Sequence, residues 1–413
     1  MNKLFLTLGF SLFTGLSAEK CSQEPCCPSP KPPVCCECYL PNYYDLQCDA
    51  GVYLYGDFLY WYAKEDNLST CMTVQGNANA LGVATSGITG QNTILNLVEV
   101  NQMETKWDPG FRVAIGYNFD HDGWDLEANY TWYRNRHRHI VSVPGFSLLN
   151  TSATIVESSF FPGNGQLALI DPWLNNTFLN TTAGGGGNLP FLFEKVSSLW
   201  KLDFEQIDLE LGRKVWLGQY TAIRTYAGVR GALFSTKFFN VAYNLAPNDS
   251  YNWNNFSDRF KDTVWGVGIL GGIQPEWHFA RSFMLFSNLD AALLWGKFNI
   301  RKDEDYASFG TNGVQTINYH NTSRNIFFKM QAVLDVALGL RWEGTWCSKV
   351  RTALDLAWEN HIWFDVNHKY KIGPAFVGGL PVGGSRPIGF NTYEEEESNL
   401  MMGGPVARFR IDF

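Results

Sequence analysis

Residues 111–132 read FRVAIGYNFDHDGWDLEANYTW and consist of two alternating segments joined by a short polar turn. In the first segment the apolar residues are Phe111, Val113, Ile115, Tyr117 and Phe119, and in the second they are Trp124, Leu126, Ala128, Tyr130 and Trp132. Because successive side chains of a strand point to opposite faces, each segment predicts a strand with one apolar and one polar face. The Asp and Gly residues between them favour a tight hairpin turn.

Ten such segments occur along the chain, and most exceed the usual strand length of about 5 or 6 residues. They match or exceed the roughly 9 to 11 residues that cross a bilayer as a tilted strand. The segments lie near 51–63, 107–119, 124–134, 199–212, 220–235, 263–277, 283–298, 326–342, 350–364 and 399–413.

The connections between these segments alternate strictly between long and short, beginning with the long stretch 64–106 and the short stretch 120–123. Bacterial outer-membrane barrels have an even number of strands, short periplasmic turns and long outer loops. The sequence therefore predicts an all-β fold, a transmembrane antiparallel β-barrel of about ten strands. Two further strands within 135–198 would make twelve.

The composition excludes several other classes of protein. Aromatic residues at 15% argue against disorder. The mean hydropathy of -0.16, and the lack of a long apolar run after the first 20 residues, argue against a helical membrane protein. The net charge of -8 argues against nucleic acid as a partner, because binding phosphate requires a basic face.

The N-terminal end predicts export. Residues 1–18 have the charged start, apolar centre and small terminal residue of a signal peptide. Residues 19–49 form a Cys/Pro-rich segment, interpreted as a periplasmic tether, and 50–413 form the barrel. Disulfides are the favoured role of cysteines in an oxidising compartment, although Cys35 and Cys38 also match the C-x-x-C spacing of zinc or redox sites. The disulfide candidates are Cys21, Cys26, Cys27, Cys35, Cys36, Cys38, Cys48 and Cys347.

Loop positions give an orientation test. Cys347 falls in a short turn, hence in the periplasm, whereas Cys71 falls in a long loop that we expect to be accessible from outside.

Tryptophans cluster near the ends of the predicted strands, which indicates two girdles at the level of the lipid headgroups. They are Trp107, Trp132, Trp200, Trp265, Trp277, Trp295, Trp342, Trp358 and Trp363. In one segment the apolar parity changes between Phe204 and Ile207, and a bulge near Gln206 would repair it.

If the apolar parity faces lipid, the other parity lines the lumen. The pore-lining candidates are Asp57, Arg112, Asp125, Glu127, Asp203, Glu205, Arg224, Arg230, Asp290, Lys329, Asp335, Arg341, Arg351, Asp355, Arg408 and Arg410. Two interpretations remain open: a narrow, water-filled path that favours cations, or an ion-paired core that plugs a small barrel.

Other motifs are weaker. Gly266–Gly271 matches G-x-G-x-x-G but lacks a strand-to-helix unit, so we interpret it as part of a strand. His137 and His139 could bind a metal, although the basic run 134–139 better fits a strand end that meets lipopolysaccharide phosphates. Glu359 and His361 are the residues to check for rim catalysis. We predict no enzyme activity, no metal site and no cofactor.

Six stretches of the sequence have a further significance: GDFLYW (56–61), KWDPGFRVAIGYNFDHDGWDLEANYTWY (106–133), WKLDFEQIDLELGR (200–213), RTYAGVRGA (224–232), WGVGILGG (265–272) and WENHIWF (358–364). Together they resemble a known family, the Legionella-type major outer membrane proteins, which occur in chlamydia-related bacteria as well. The resemblance covers most of the chain from about residue 51. It implies an abundant, disulfide-linked, porin-like barrel of the bacterial outer membrane.

Two functions are therefore expected to compete. The first is a porin for ions and small hydrophilic solutes that also strengthens the envelope through disulfides. The second is a structural or adhesive surface protein with a plugged lumen. The expected partners are outer-membrane lipid, lipopolysaccharide, and either other copies of the chain or other cysteine-rich envelope proteins.

Overall fold

A computed structural model describes residues 50–76, 95–120, 122–145, 165–173, 192–243, 253–309, 315–346, 350–376 and 389–413. The predicted signal peptide (1–18) and tether (19–49) lie outside these ranges, as do Cys347 and the seven cysteines between Cys21 and Cys48. No helix in the described ranges is long and apolar enough to cross a membrane.

Ten antiparallel strands form the wall of a closed barrel, which confirms the predicted fold. They are β1 (Gly51–Glu65), β4 (Lys106–Asn118), β5 (Trp124–Ser142), β7 (Lys195–Trp216), β8 (Thr221–Tyr243), β9 (Trp253–Ala280), β10 (Phe283–Phe309), β11 (Gln315–Trp346), β12 (Val350–Phe376) and β13 (Gly389–Asp412). Their order around the ring is β1-β13-β12-β11-β10-β9-β8-β7-β5-β4.

The hairpin that first indicated the fold is present. Tyr117 pairs with Leu126 and Asn118 with Asp125 across β4 and β5. Between Phe119 and Trp124, Asp122 and Gly123 both have positive φ, at 58° and 66°, a backbone region that Asp and Gly adopt more readily than most residues. This local chemistry fixes the register of the pair.

The predicted apolar parity faces outwards. Phe111, Val113 and Ile115 of β4 are exposed, as are Leu338 and Leu340 of β11, while the alternate positions are buried in the lumen. An exposed apolar surface on every wall strand is the lipid-facing belt of a membrane barrel.

The strands continue well beyond this belt. β9, β10 and β11 run from 253 to 346 with short interruptions, so most of the predicted long loops 236–262 and 299–325 is strand. Backbone hydrogen bonds hold two strands together whether or not one face of the pair is apolar. These segments lack the regular apolar alternation from which the other strands were predicted. Gly268 lies within β9, where a Cβ would collide with the Leu293 carbonyl.

Three short strands form a separate sheet inside the extracellular end of the barrel. They are β2 (Ser69–Gly76), β3 (Leu95–Gln102) and β6 (Leu167–Ile170), in the order β3-β2-β6. We call this sheet and its flanks, residues 66–76, 95–105 and 165–173, the insert. The ring closes with ten strands, so the twelve-stranded alternative is wrong: β6, the additional strand described within 135–198, joins the insert.

Cys71 belongs to the insert and has no exposed surface. It packs with Leu169 and with Val196 and Phe256 of the wall, and burial raises the pKa of its thiol to about 12. The expectation of an accessible outer cysteine was therefore wrong, because the loop that carries Cys71 folds into the barrel.

We predict that a maleimide will not label Cys71 in intact cells and will label it once the protein is unfolded in urea. Peptide mass spectrometry distinguishes this site from the N-terminal cysteines. Fast labelling of Cys71 in folded protein would contradict the docked position of the insert.

Candidate functional site

The periplasmic half of the lumen is a polar cavity of about 440 Å³, which we call the vestibule. It begins at the turn 119–124 and extends upward to Arg112, Glu359 and His361. Eleven acidic and eight basic described side chains line it. Charges at this density need partners or water, because an isolated buried ion is costly.

The first ion-pair group surrounds Arg230 of β8. Its guanidinium lies 2.9 Å from Asp208, 3.3 Å from Asp290 and 2.5 Å from Asp335, with distances measured from nitrogen to carboxylate oxygen. These acids come from β7, β10 and β11, so one cation joins four strands. All four side chains are less than a tenth exposed.

The second group surrounds Arg112 of β4. Arg112 lies 3.0 Å from Asp57 and 2.9 Å from Glu359, and Asp57 also pairs with Arg408 at 2.8 Å. His361 links the two groups, since its Nδ1 lies 2.8 Å from Asp335 and its Nε2 lies 3.3 Å from Glu359. The result is one charged network across the middle of the lumen.

The third group lies nearer the periplasm. Arg224 pairs with Asp125 at 2.6 Å and with Glu210 at 3.3 Å. Tyr53 and Tyr55 donate hydrogen bonds to Glu127 at 2.9 and 2.5 Å. Three further pairs line this end: Arg341–Asp355, Arg351–Asp412 and Arg410–Asp412, each at 2.7 Å.

The structure places most predicted pore-lining residues on the inner face. Thirteen of them belong to the three ion-pair groups or their periplasmic neighbours: Asp57, Arg112, Asp125, Glu127, Arg224, Arg230, Asp290, Asp335, Arg341, Arg351, Asp355, Arg408 and Arg410. Lys329 lies higher in the barrel, where it pairs with Glu397 at 2.6 Å.

Asp203 and Glu205 were assigned to the wrong side. β7 keeps one register with both neighbours, so there is no bulge near Gln206, and its even-numbered residues face inwards throughout. Asp203 lies on the outer surface, where it pairs with Arg134 at 2.9 Å. The apparent change of phase arises because the lumen itself becomes apolar at this height.

An aromatic layer closes the lumen above the vestibule. Trp363 of β12 lies 5.6 Å, between ring centroids, from both Phe204 of β7 and Phe234 of β8. β12 and β7 are opposite each other in the ten-stranded ring, so these contacts cross its diameter. Trp61 packs beside them, 5.6 Å from Tyr133 and 4.5 Å from His361.

This layer corrects part of the girdle prediction. Trp107, Trp265, Trp277, Trp295 and Trp358 are exposed on the outer surface, as predicted for girdles, and Trp132 and Trp342 are partly exposed. Trp200 and Trp363 are buried in the lumen instead. Position near a strand end does not specify the face, and both residues have the inward parity of their strands.

A buried charged cluster joins the insert to the wall. Lys302 of β10 lies 2.5 Å from Glu304 and 3.9 Å from Asp258, and it donates to the Trp173 carbonyl at 2.9 Å. Asp171 accepts hydrogen bonds from Asn240 at 2.6 Å and from the Trp173 amide at 2.9 Å. Burial raises the pKa of Asp171 to about 7, and burial also raises the pKa of Asp258.

The raised pKa of Asp171 predicts that docking of the insert against the barrel wall depends on pH. A carboxyl with a pKa raised above its unfolded value of about 3.9 binds more protons when docked, so docking weakens as pH rises from about 4 to 7. Asp171→Asn removes that loss. At pH 8 we expect Cys71 to be labelled about tenfold more slowly in the variant than in the parent, and we expect a smaller difference at pH 5.5, where only part of the loss has developed. Equal rates at both pH values would contradict this role of Asp171.

Two groups of described residues have the composition of a metal site. Glu104, His137 and His139 at the extracellular rim, and His368, Glu395 and Glu397, each present three ligand atoms within 4.8 Å of one another. The first set offers two imidazoles and one carboxylate, ligands that suit divalent transition metals. Neither group adjoins the vestibule.

Sequence reasoning missed several lining residues. Tyr53 and Tyr55 share the parity of Asp57, and Glu276, which pairs with Lys214 at 2.5 Å, shares the parity of Gln274. Parity would have identified them. Glu359 and His361, considered for catalysis at a rim, lie at mid-lumen in ion pairs with Arg112 and Asp335.

Comparison of the sequence with known protein families identifies the family of this chain. The model of the family described as Legionella pneumophila major outer membrane protein precursor matches residues 52–413, which includes every strand of the ring. The chain belongs to this family. Like the rest of this major outer membrane protein family, it is a protein of the bacterial outer membrane.

Solved outer-membrane proteins are among the structures that match this chain. The outer membrane protease OmpT of Escherichia coli has 9% identity and a TM-score of 0.34, covering 88% of this chain and 96% of that chain. A Pseudomonas aeruginosa FadL homologue has 6% identity and a TM-score of 0.22, covering 88% and 90%. The channel DcaP of Acinetobacter baumannii has 9% identity and a TM-score of 0.12, covering 88% and 97%. No curated protein matches the sequence.

Proposed function

We propose that this family member is a porin-like barrel that conducts ions and small hydrophilic solutes at a low rate. The observation that carries the proposal is the charged vestibule, which supplies a polar route from the periplasm to the middle of the barrel. Its excess of acidic over basic side chains favours cations.

The aromatic layer sets the rate in this proposal. Rings that meet across the lumen exclude water, so passage requires Trp363 and its partners to move apart. Barrels of about eight strands are filled by side chains, while those of 16 to 18 are open. A ten-stranded barrel with such a layer is expected to show small, brief openings.

Planar-bilayer recording of the refolded protein tests this function. We expect stepwise conductance and, across a potassium chloride gradient, a reversal potential on the cation-selective side. Heat-modifiable migration on a gel verifies that the sample is folded. A folded protein that stays silent would contradict conduction, and an anion-selective reversal potential would contradict the role of the vestibule acids.

A structural role in the envelope is the second candidate. It is favoured by the ion-pair network around Arg112 and Arg230, which joins strands across the lumen and stiffens the wall. In this role the cysteines at 21–48, which lie outside the described residues, would cross-link the protein to other copies or other envelope proteins.

Gel migration tests the cross-linking. Replacing the seven cysteines at 21–48 by serine should abolish large species on non-reducing gels, whereas Cys71→Ser should leave them unchanged. Large species that persist in the seven-serine variant would contradict the proposed cross-links.

A further inference from the structure

Six basic residues form a continuous row across six neighbouring strands of the wall. The cross-strand pairs are Arg136 with Lys201, Lys201 with Lys237, Lys237 with Lys261, Lys261 with Arg301, and Arg301 with Arg324. The row therefore runs through β5, β7, β8, β9, β10 and β11. At about 4.8 Å per strand it spans roughly 24 Å.

Every residue of this basic row faces away from the lumen. The flanking positions, among them Leu202, Phe238 and Phe260, are buried inside the barrel, and the basic side chains alternate with them. Like charges directly opposite each other on a sheet destabilise it. Five consecutive pairs of this kind therefore need an opposing charge to offset the repulsion.

The protein supplies only part of that charge. Lys237 lies 4.0 Å from Asp203, Arg301 lies 2.9 Å from Asp303, and Arg324 bonds to the Asn299 amide oxygen. The side chains of Arg136, Lys201 and Lys261 have no carboxylate partner among the described residues. These three positions of the row are thus open to an external anion.

The row lies just beyond the aromatic edge of the apolar belt. Trp132, Leu233, Trp265 and Phe328 each sit four residues nearer the membrane on the strands that carry Arg136, Lys237, Lys261 and Arg324. Four residues correspond to about 13 Å of strand. Because barrel strands tilt by about 35–45°, the row crosses the headgroup region obliquely.

Basic residues on the adjoining strands β1 and β4 differ from those of the row. Above the belt on β1 and β4, Lys64 lies 3.9 Å from Asp66 and Lys106 lies 3.2 Å from Asp108, so each basic residue has an acid beside it. Glu395 and Glu397 of β13 are also exposed there. Within the described ranges, Lys64 and Lys106 are therefore compensated by neighbouring acids, unlike Lys201 and Lys261 of the row.

We propose that this row binds the phosphate groups of the glycolipid in the outer leaflet of the membrane. Arg and Lys form charge-assisted hydrogen bonds with phosphate, and the depth of the row matches the lipid headgroups rather than the solvent. The proposal does not depend on whether the lumen conducts.

Titration of the folded protein in detergent micelles with fluorescent bisphosphorylated lipid A tests it. We expect the double variant K237Q/K261Q to bind about 10- to 30-fold more weakly than the parent, because each basic residue lost near a membrane surface lowers the affinity about three- to fivefold. The matched control K64Q/K106Q removes the same charge from two positions that each have an acid beside them, and it should bind within about twofold of the parent.

Stability provides a second measurement. Without lipid A, K237Q/K261Q should resist heat unfolding at least as well as the parent, because repulsion between the two strands is removed. Weak binding then reflects the lost site rather than a damaged fold. Similar affinities of the row variant and the control would overturn the proposal. Equally tight binding of dephosphorylated lipid A would overturn phosphate recognition, and inorganic phosphate that competes at lipid A concentrations would overturn the lipid as its source.

Discussion

Arg230→Met is expected to lower the free energy of unfolding by about 3–5 kcal/mol. The substitution keeps much of the side-chain volume but leaves Asp208, Asp290 and Asp335 facing one another without their shared cation. Removing one partner of a buried ion pair is more damaging than removing both, because the remaining charges keep their desolvation cost. Urea unfolding in lipid vesicles measures the effect.

Two controls identify its cause. Arg213→Met removes an exposed cation of β7 that lies 4.0 Å from Asp122, and it should lower the free energy of unfolding by less than about 1 kcal/mol. Adding Asp208→Asn and Asp335→Asn to Arg230→Met should restore part of the lost stability. If Arg230→Met costs no more than Arg213→Met, the three carboxylates do not depend on Arg230.

Trp363→Ala is expected to change conductance most. Trp363 is buried, and its ring contacts the rings of Phe204 and Phe234 across the lumen. Its removal leaves a gap in the aromatic layer, directly above the polar vestibule. We expect larger and longer openings in planar bilayers, together with a loss of about 3–5 kcal/mol in unfolding free energy.

Trp358→Ala is the matched control, since Trp358 is on the same strand but faces outwards. It should leave conductance unchanged. Phe204→Ala should enlarge the openings in the same direction as Trp363→Ala. Unchanged conductance in folded Trp363→Ala would mean that the aromatic layer does not limit passage.

Parity alone predicted most of the wall. Alternation in segments such as 111–119 and 330–342 located the strands, and the long and short connections located the two ends of the barrel. These signals are strong because lipid demands an unbroken apolar face on every strand. The same demand made the inner position of Arg112 and Arg230 predictable from the opposite parity.

Parity failed where the lumen changes from polar to apolar along the barrel axis. In β7 the residues Trp200, Leu202 and Phe204 are apolar and inward, whereas Ile207 and Leu209 are apolar and outward. Alternation shows which residues share a face but cannot say whether that face meets lipid or an apolar lumen. The insert was unpredictable for a related reason, since β2 and β6 are short and pair across about 95 residues of sequence.

The partners of each ion were also beyond sequence reasoning. Arg112 pairs with Glu359, 247 positions away, because the ring brings β4 close to β12. The sequence shows which acids and bases face the lumen but not which of them form pairs. The pairs are determined only when the ring closes and fixes which strands lie close together.

Closure of the ring has a consequence for the order of folding. The last strand joins the first: Tyr53 of β1 pairs with Asp412 of β13, and the Phe413 amide bonds to the Val52 carbonyl at 3.0 Å. Until β13 is in place, both β1 and β12 expose unpaired backbone groups that lipid cannot satisfy. A chain in which β13 has not yet paired therefore cannot persist in the bilayer, so we expect insertion to be an all-or-none event timed by the pairing of β13 with β1. Because pairing between strands distant in sequence is slow, we expect this to be the slow step of folding.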